Sequence, residues 1–223
     1  DQFNSIKKTL MHLKGKPLTI RTLDVGNDKK VPSIEKYLTK SPNPALGLRA
    51  IRLTLAFPKI FKRQITAILR ASSHGNIRIM LPMVSNVSEL IETKKIITEV
   101  KKDLLKKNKR LKITTPKIGV LIETPAAALI SEELAKNCDF FAIGTNDLTM
   151  YTLAIDRGDE EVAKIYDPGH LSVLKLIYMT TKSANRNKIP VSICGEMAGD
   201  TLFTSILIGM GIRTLSMSTS RIL

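Results

Sequence analysis

The sequence predicts an α/β protein on a parallel sheet and, within that class, a (β/α)8 barrel lacking one strand at its start. Three observations carry this. Apolar, β-branched runs alternate with amphipathic helical patterns along the 223 residues, as parallel strands with helices outside them do. The runs are continuously apolar, which suits strands covered on both faces. Polar groups fall at the C-terminal ends of several different runs, where a (β/α)8 barrel gathers its reactive side chains. An open sheet more often places its site beside a Gly-rich turn, and no G-x-G-x-x-G is present.

Taken in order, the strand runs are PLTIRTLD (17–24), IRIMLPMV (77–84), KIGVLIE (117–123), CDFFAIG (138–144), IPVSIC (189–194) and IRTLSMS (212–218). Helical patterns occupy 58–73, 86–107, 125–137, 170–187 and 200–209. Six strands are convincing, and part of 48–53 is a seventh if it is extended. A full barrel takes about 250 residues, so one strand is expected to be missing.

Composition narrows the class further. At 43% hydrophobic and 25% charged the chain reads as globular, neither disordered nor fibrous. Two cysteines, Cys138 and Cys194, cannot build a disulfide scaffold and read as thiols in a reducing compartment. The weakly polar stretch 201–212 is shorter than the ~20 residues of a membrane span. No signal peptide is visible, so a cytoplasmic protein is expected. The net charge of +15 suggests nucleic acid, but its distribution argues otherwise. Residues 94–117 hold ten basic and two acidic residues, with Ile97, Val100 and Leu104 marking an apolar stripe opposite the lysines. Trp is absent and aromatics are 4%, leaving few platforms for bases, so nucleic acid is the weaker reading.

Several groups can carry chemistry. In GTNDLTMYTLAIDRGD, a strand ends at Gly144 and Thr145-Asn146-Asp147 turns the chain. Such a turn can face an anion with its N–H groups or hold a hard cation with its carboxylate, and it can equally be a capping turn. Arg157 follows in a second polar cluster with Asp156 and Asp159. Glu123 closes its strand before Thr124 and Pro125, a natural N-cap and first helical residue. Paired with Asp147, one α–β repeat later, it is a candidate oxygen site for Mg²⁺, which usually takes one or two carboxylates and leaves room for phosphate. Arg21 and Arg49 can clamp phosphate or carboxylate through their paired donors, although Arg49 reads equally as a solvated helix residue. Cys194, where the chain turns polar after an apolar strand, is a working thiol or inert packing. The histidines at 12, 74 and 170 show no metal or catalytic spacing.

Taken together, RTLDVGNDK, NPALGLRAIR, ILRASSHGNIRIMLPMV, IGVLIETPAA, DFFAIGTNDLTMYTLAIDRGD, CGEMAGD and ILIGMG resemble, in the same order, the Enzyme I family. These are the phosphoenolpyruvate–protein phosphotransferases of the bacterial sugar phosphotransferase system. Dikinases and phosphoenolpyruvate synthases share the GTNDLT and CGE elements, whereas YTLAIDRGD and CGEMAGD look like Enzyme I.

The resemblance implies a barrel of the phosphoenolpyruvate-utilising type over 1–223, with Mg²⁺ as cofactor and Glu123 and Asp147 as its ligands. By the same motifs Arg21, Arg49, Asn146, Asp147 and Arg157 would hold the substrate, and Cys194 would protonate enolpyruvate. Phosphate would pass to a histidine on a separate N-terminal domain, then to the phosphocarrier protein HPr, in a homodimer of the full-length protein. Departures are Gly26-Asn27 for a usual Gly-Gly, where Asn is expected to keep the turn, Met150 for a usual Gln, and the shortened LSMSTSRIL end. The family's first strand and its phosphohistidine domain are absent, so the chain is expected to be a fragment or a degenerate, non-catalytic copy.

Overall fold

A computed structural model describes residues 2–26, 37, 41–156 and 158–222. They fall into two compact units, Asp1–Met83 with Ser88–Ile118 and Val84–Val87 with Gly119–Leu223.

The first unit begins with α1 (Gln2–His12), mostly polar, which buries Leu10. At its start Phe3 meets the His74 ring edge-on at 6.1 Å and lies under the Arg70 guanidinium at 4.8 Å. The apolar runs then form β1 (Leu18–Arg21) and β2 (Ile77–Leu81), paired in parallel from Leu18 with Ile77 to Arg21 with Met80. Between them lie α2 (Ala50–Ala56) and α3 (Pro58–Ala71). Pro58 suits the first helical turn, where a missing N–H costs nothing. Leu53, Phe61, Ile65, Ile68, Leu69 and Ile79 make the core of this unit. The long basic helix α4 (Val87–Lys107) buries Leu90, Ile96, Ile97 and Val100 and leaves most of its lysines exposed, as its apolar stripe predicts.

The second unit is organised on β3 (Lys117–Ile122), β4 (Phe140–Gly144), β5 (Val191–Cys194) and β6 (Leu215–Ser216). Each pairs in parallel with the next, with Ile122 beside Ile143, Gly144 beside Cys194, and Cys194 beside Ser216. Helices follow each of the first three strands: α5 (Pro125–Leu129) and α6 (Ser131–Ala135), then α7 (Thr145–Leu153), α8 (Glu160–Ala163) and α9 (Leu171–Arg186), then α10 (Thr201–Gly209). Val120, Ile122, Phe141, Ile143, Ile177 and Ile193 are buried at its centre.

All six predicted strands form. The seventh does not: residues 50–56 are helical, because Ala50, Leu53 and Thr54 recur at helical spacing and are buried together. The pattern over 125–137 is broken at Ile130 into two short helices. The turn expected at 145–147 is the first turn of α7. Cys138 is half-buried, its thiol donating to Phe140 O at 3.5 Å. Asn27, read as keeping a turn, lies outside the described residues.

Candidate active site

In the first unit, strand β1 ends at Arg21 and the chain continues through Thr22 and Asp24, both buried. Asp24 binds two arginines at once. Its Oδ1 accepts from Arg49 Nη2 at 3.0 Å, and its Oδ2 lies 3.1 Å from Arg21 Nη1. Arg49 is 4% exposed and extended at the N-cap of α2. The solvated-helix reading is therefore overturned: a buried guanidinium needs a carboxylate, and Asp24 supplies it. The Arg21 side chain is 47% exposed, so one arginine of the cluster is anchored and the other reaches outward.

In the second unit the strand register sets Gly144, Cys194 and Ser216 side by side at the C-terminal ends of β4, β5 and β6. Glu123 follows the last residue of β3 and is 2% exposed. A Cβ on Gly144 would sit 3.0 Å from Glu123 Oε2, so glycine leaves that carboxylate its space. Thr124 fixes the turn after it: its hydroxyl donates to Val84 O at 2.9 Å and accepts from Ala127 N at 3.1 Å, the expected N-cap.

The half-buried Asn146 and Asp147 lie in the first turn of α7, where a carboxylate complements the helix dipole. Asn146 Nδ2 donates to Glu196 Oε1 at 3.3 Å, and the Glu196 N–H donates to Asn146 Oδ1 at 2.9 Å. Thr145 Oγ1 donates to Cys194 O at 2.9 Å, and the half-buried Cys194 thiol donates to Ile143 O at 3.3 Å. Gly195 has φ of +96°, and a Cβ there would collide with Thr145 Oγ1 and come within 2.8 Å of Asn146 Oδ1. Only glycine permits this approach. These residues open on a cavity of about 600 Å³ whose walls include Asn146, Cys194, Glu196, Ser218 and Arg221.

Thus Arg21 and Arg49 meet in the first unit, and Asn146 and Cys194 in the second. Arg157 lies outside the described residues. Sequence reasoning missed the bridging role of Asp24 and the hold of Glu196 on Asn146. The first sits three residues from Arg21 with the right charge; the second is long-range and has no local signal.

The profile of the PEP-utilising enzymes' PEP-binding domain matches residues 1–223. The chain belongs to that family. The chain is 43% identical to the phosphoenolpyruvate-protein phosphotransferase of Bacillus subtilis (strain 168) over 223 residues, all of this chain and 39% of that protein. It is 43% identical to the enzyme of that name from Cupriavidus necator (all of this chain, 38% of that one) and 42% to that of Staphylococcus epidermidis (likewise all and 38%). It spans about two fifths of the length of these curated relatives.

Among solved structures, an HpcH/HpaI aldolase/citrate lyase family protein from Burkholderia cenocepacia J2315 matches with a TM-score of 0.53 at 12% identity, covering 98% of this chain and 85% of that one. A citrate lyase from Burkholderia xenovorans LB400 gives 0.53 at 17%, covering 72% and 51%. At such identities the likeness concerns the fold alone: the chain has the fold class of a partial (β/α)8 barrel. No helix among the described residues is long and apolar enough to cross a membrane.

Proposed function

We propose that residues 1–223 bind phosphoenolpyruvate with Mg²⁺ and deliver its phosphoryl group to a protein histidine, leaving pyruvate. The observation that carries this reading is the row of strand ends in the second unit, where Glu123 lies against Gly144, Gly144 pairs with Cys194, and α7 opens directly after with Asn146 and Asp147 in its first turn.

The donors fit a hard cation. Glu123 and Asp147 offer carboxylate oxygens, and Gly144 keeps the space beside Glu123 open. Among the described residues no group of three or more His, Cys, Asp or Glu side chains is placed to hold a metal. Two carboxylates with the remaining positions left to substrate and water is a common Mg²⁺ arrangement. When bound, Mg²⁺ would neutralise charge developing on the transferred phosphoryl oxygens.

The chain's own residues orient and protonate. Arg21 and Arg49 offer guanidinium groups set by Asp24, suited to phosphate and carboxylate, with Arg157 as a third. Asn146, held by Glu196, presents its α7 turn to the ligand. As a histidine nitrogen attacks phosphorus, the P–O bond to the enol oxygen breaks and its electron pair stays on that oxygen. The Cys194 thiol then gives its proton to the methylene carbon as the enolate collapses to the ketone, and the thiolate is reprotonated from solvent. Of the chain's own histidines, His12 Nδ1 lies 2.7 Å from Lys8 O, His170 Nδ1 2.7 Å from Ser172 Oγ, and His74 against Phe3, and none of the three is on the cavity wall. The acceptor histidine is assigned to another segment or chain, as the family resemblance implies. The relatives' name, phosphoenolpyruvate-protein phosphotransferase, fits a protein as phosphoryl acceptor; a place at the head of sugar uptake, HPr as the next carrier and a cytoplasmic homodimer rest on the family resemblance alone.

Calorimetry tests the reading. Phosphoenolpyruvate should bind only with Mg²⁺, and Glu123→Gln or Asp147→Asn should weaken that binding roughly ten- to a hundredfold, the worth of a contact to a charged group. Mg²⁺-independent binding, or wild-type affinity in both variants, would remove the metal site. Steeply salt-dependent nucleic-acid binding without it would favour a basic binding protein.

A further inference from the structure

The Arg21–Asp24–Arg49 cluster of the first unit depends on residues 22–25, which follow β1. Their backbone is anchored to three other elements. Thr22 N–H donates to Met80 O on β2 at 3.0 Å, and Leu23 N–H donates to Gln64 Oε1 on α3 at 3.0 Å. Val25 O accepts from Ala50 N at 3.2 Å, beside Arg49 at the start of α2. The first and last of these anchors run backbone to backbone; that of Leu23 runs through a side chain. Gln64 is out of pattern for its helix. With Phe61, Ile65 and Ile68 it fills the i, i+3, i+4, i+7 stripe of α3, and those three are buried apolar residues. A polar group in such a stripe needs a partner. The half-buried Gln64 commits its carbonyl oxygen to Leu23, 41 residues back along the chain.

We propose that Gln64 is a positioning residue for this cluster, an inference that rests on the function proposed above, in which Arg21 and Arg49 hold the ligand. Leu23 stands on the chain between Arg21 and Asp24. Fixing its N–H therefore fixes the turn from which the Asp24 carboxylate reaches both guanidinium groups, Arg49 Nη2 at 3.0 Å and Arg21 Nη1 at 3.1 Å. Asp24 and Arg49 are buried against each other. The Arg21 side chain is 47% exposed, so its direction depends on where Asp24 stands. A long side chain that meets a ligand loses rotamer freedom, and an anchor fixed beforehand removes part of that cost. An apolar residue at position 64 would suit the stripe and leave the Leu23 N–H unmet. Glutamine there serves the arginines at the expense of the core.

The test is calorimetry of phosphoenolpyruvate with Mg²⁺ on the whole chain, with melting temperature followed in parallel. Gln64→Leu, which keeps the bulk and removes the acceptor, should weaken binding roughly three- to tenfold, the worth of one neutral hydrogen bond. Gln64→Glu keeps an oxygen at the same place and should restore most of the affinity. In an Arg21→Ala background Gln64→Leu should cost less than about twofold, because the arm it places is gone and coupled residues do not add. Should Gln64→Leu fail to fold, Gln64→Asn, one methylene too short to reach Leu23, takes its place with the same expectations. Unchanged affinity in Gln64→Leu overturns this inference and leaves the proposed function standing. The full loss in both backgrounds, or no recovery in Gln64→Glu, makes the glutamine a folding group and overturns its positioning role. Absence of Mg²⁺-dependent binding by the wild type overturns the function and this inference with it.

Discussion

Asn146 and Glu196, fifty residues apart in the chain, grip one another by two hydrogen bonds, one from the Asn146 amide to the Glu196 carboxylate at 3.3 Å and one from the Glu196 N–H to the Asn146 carbonyl at 2.9 Å. The pair joins the first turn of α7 to the turn after β5, and so links the asparagine to the strand end that carries Cys194.

Glu196→Ala removes the side-chain bond and leaves the asparagine held only through its carbonyl by the backbone N–H of residue 196. Phosphoenolpyruvate binding should weaken about tenfold, the low end for a hydrogen bond to a charged group. Glu196→Gln keeps an acceptor oxygen at the same place and should recover most of the affinity. If calorimetry finds Glu196→Ala as tight as wild type, the pair plays no part in presenting Asn146.

Asp24 separates anchoring from reach. Asp24→Ala strands the buried guanidinium of Arg49, and breaking a buried ion pair typically costs about 3–5 kcal/mol. Arg21→Ala removes a side chain that is 47% exposed, and should cost no more than about 1 kcal/mol while weakening the ligand. Urea unfolding and calorimetry on both variants check this. Equal stability losses would contradict the division of roles.

Cys194→Ala distinguishes chemistry from packing. In the protein supplied with its phosphoryl acceptor, phosphoenolpyruvate binding should be retained and pyruvate formation should drop ~10²–10⁴-fold, the usual worth of general acid catalysis. Phosphoryl transfer can persist and release enolpyruvate, which ketonises in solution. A destabilised variant with normal turnover would make the thiol a packing group.

Gly195→Ala places a methyl group on backbone at φ +96°, within 2.8 Å of Asn146 Oδ1. Left-handed strain alone costs ~1–3 kcal/mol, so melting temperature and ligand affinity should fall together. Gly209→Ala is the control: nothing lies within 4 Å of its Cβ, and its stability should equal or exceed wild type. Loss in the control and not at Gly195 would refute the close-approach argument.

The strands were legible because burial on both faces leaves long apolar runs that no surface helix would show, as in FFAIG at 140–144. Their ends were less so: LPMV extends the apolar run of β2, but pairing stops at Leu81. The Thr124 cap and the place of Glu123 were readable since a cap is local chemistry over three or four residues. Arg49 was left open between a clamp and a solvated helix residue for the opposite reason. Its burial depends on Asp24, 25 residues away, and no helical pattern reveals such a partner. Residues 145–147 look like a turn because Asn and Asp favour both turns and first helical turns; the apolar residues that continue α7, Leu148 and Met150, decide between them by being buried.

Gly144 carries one further consequence. It has no donor atom, and yet the space a methyl group would take there is the space of the Glu123 carboxylate, 3.0 Å from Oε2. Selection at position 144 would therefore act on the electrostatics of the neighbouring strand together with its packing, because the same methyl group would lie 3.1 Å from Glu123 Cβ and 3.3 Å from Leu121 Cδ1. A screen for lost activity would score a glycine as though it were a ligand, and a lineage that drifted to alanine there would first have to move a charge.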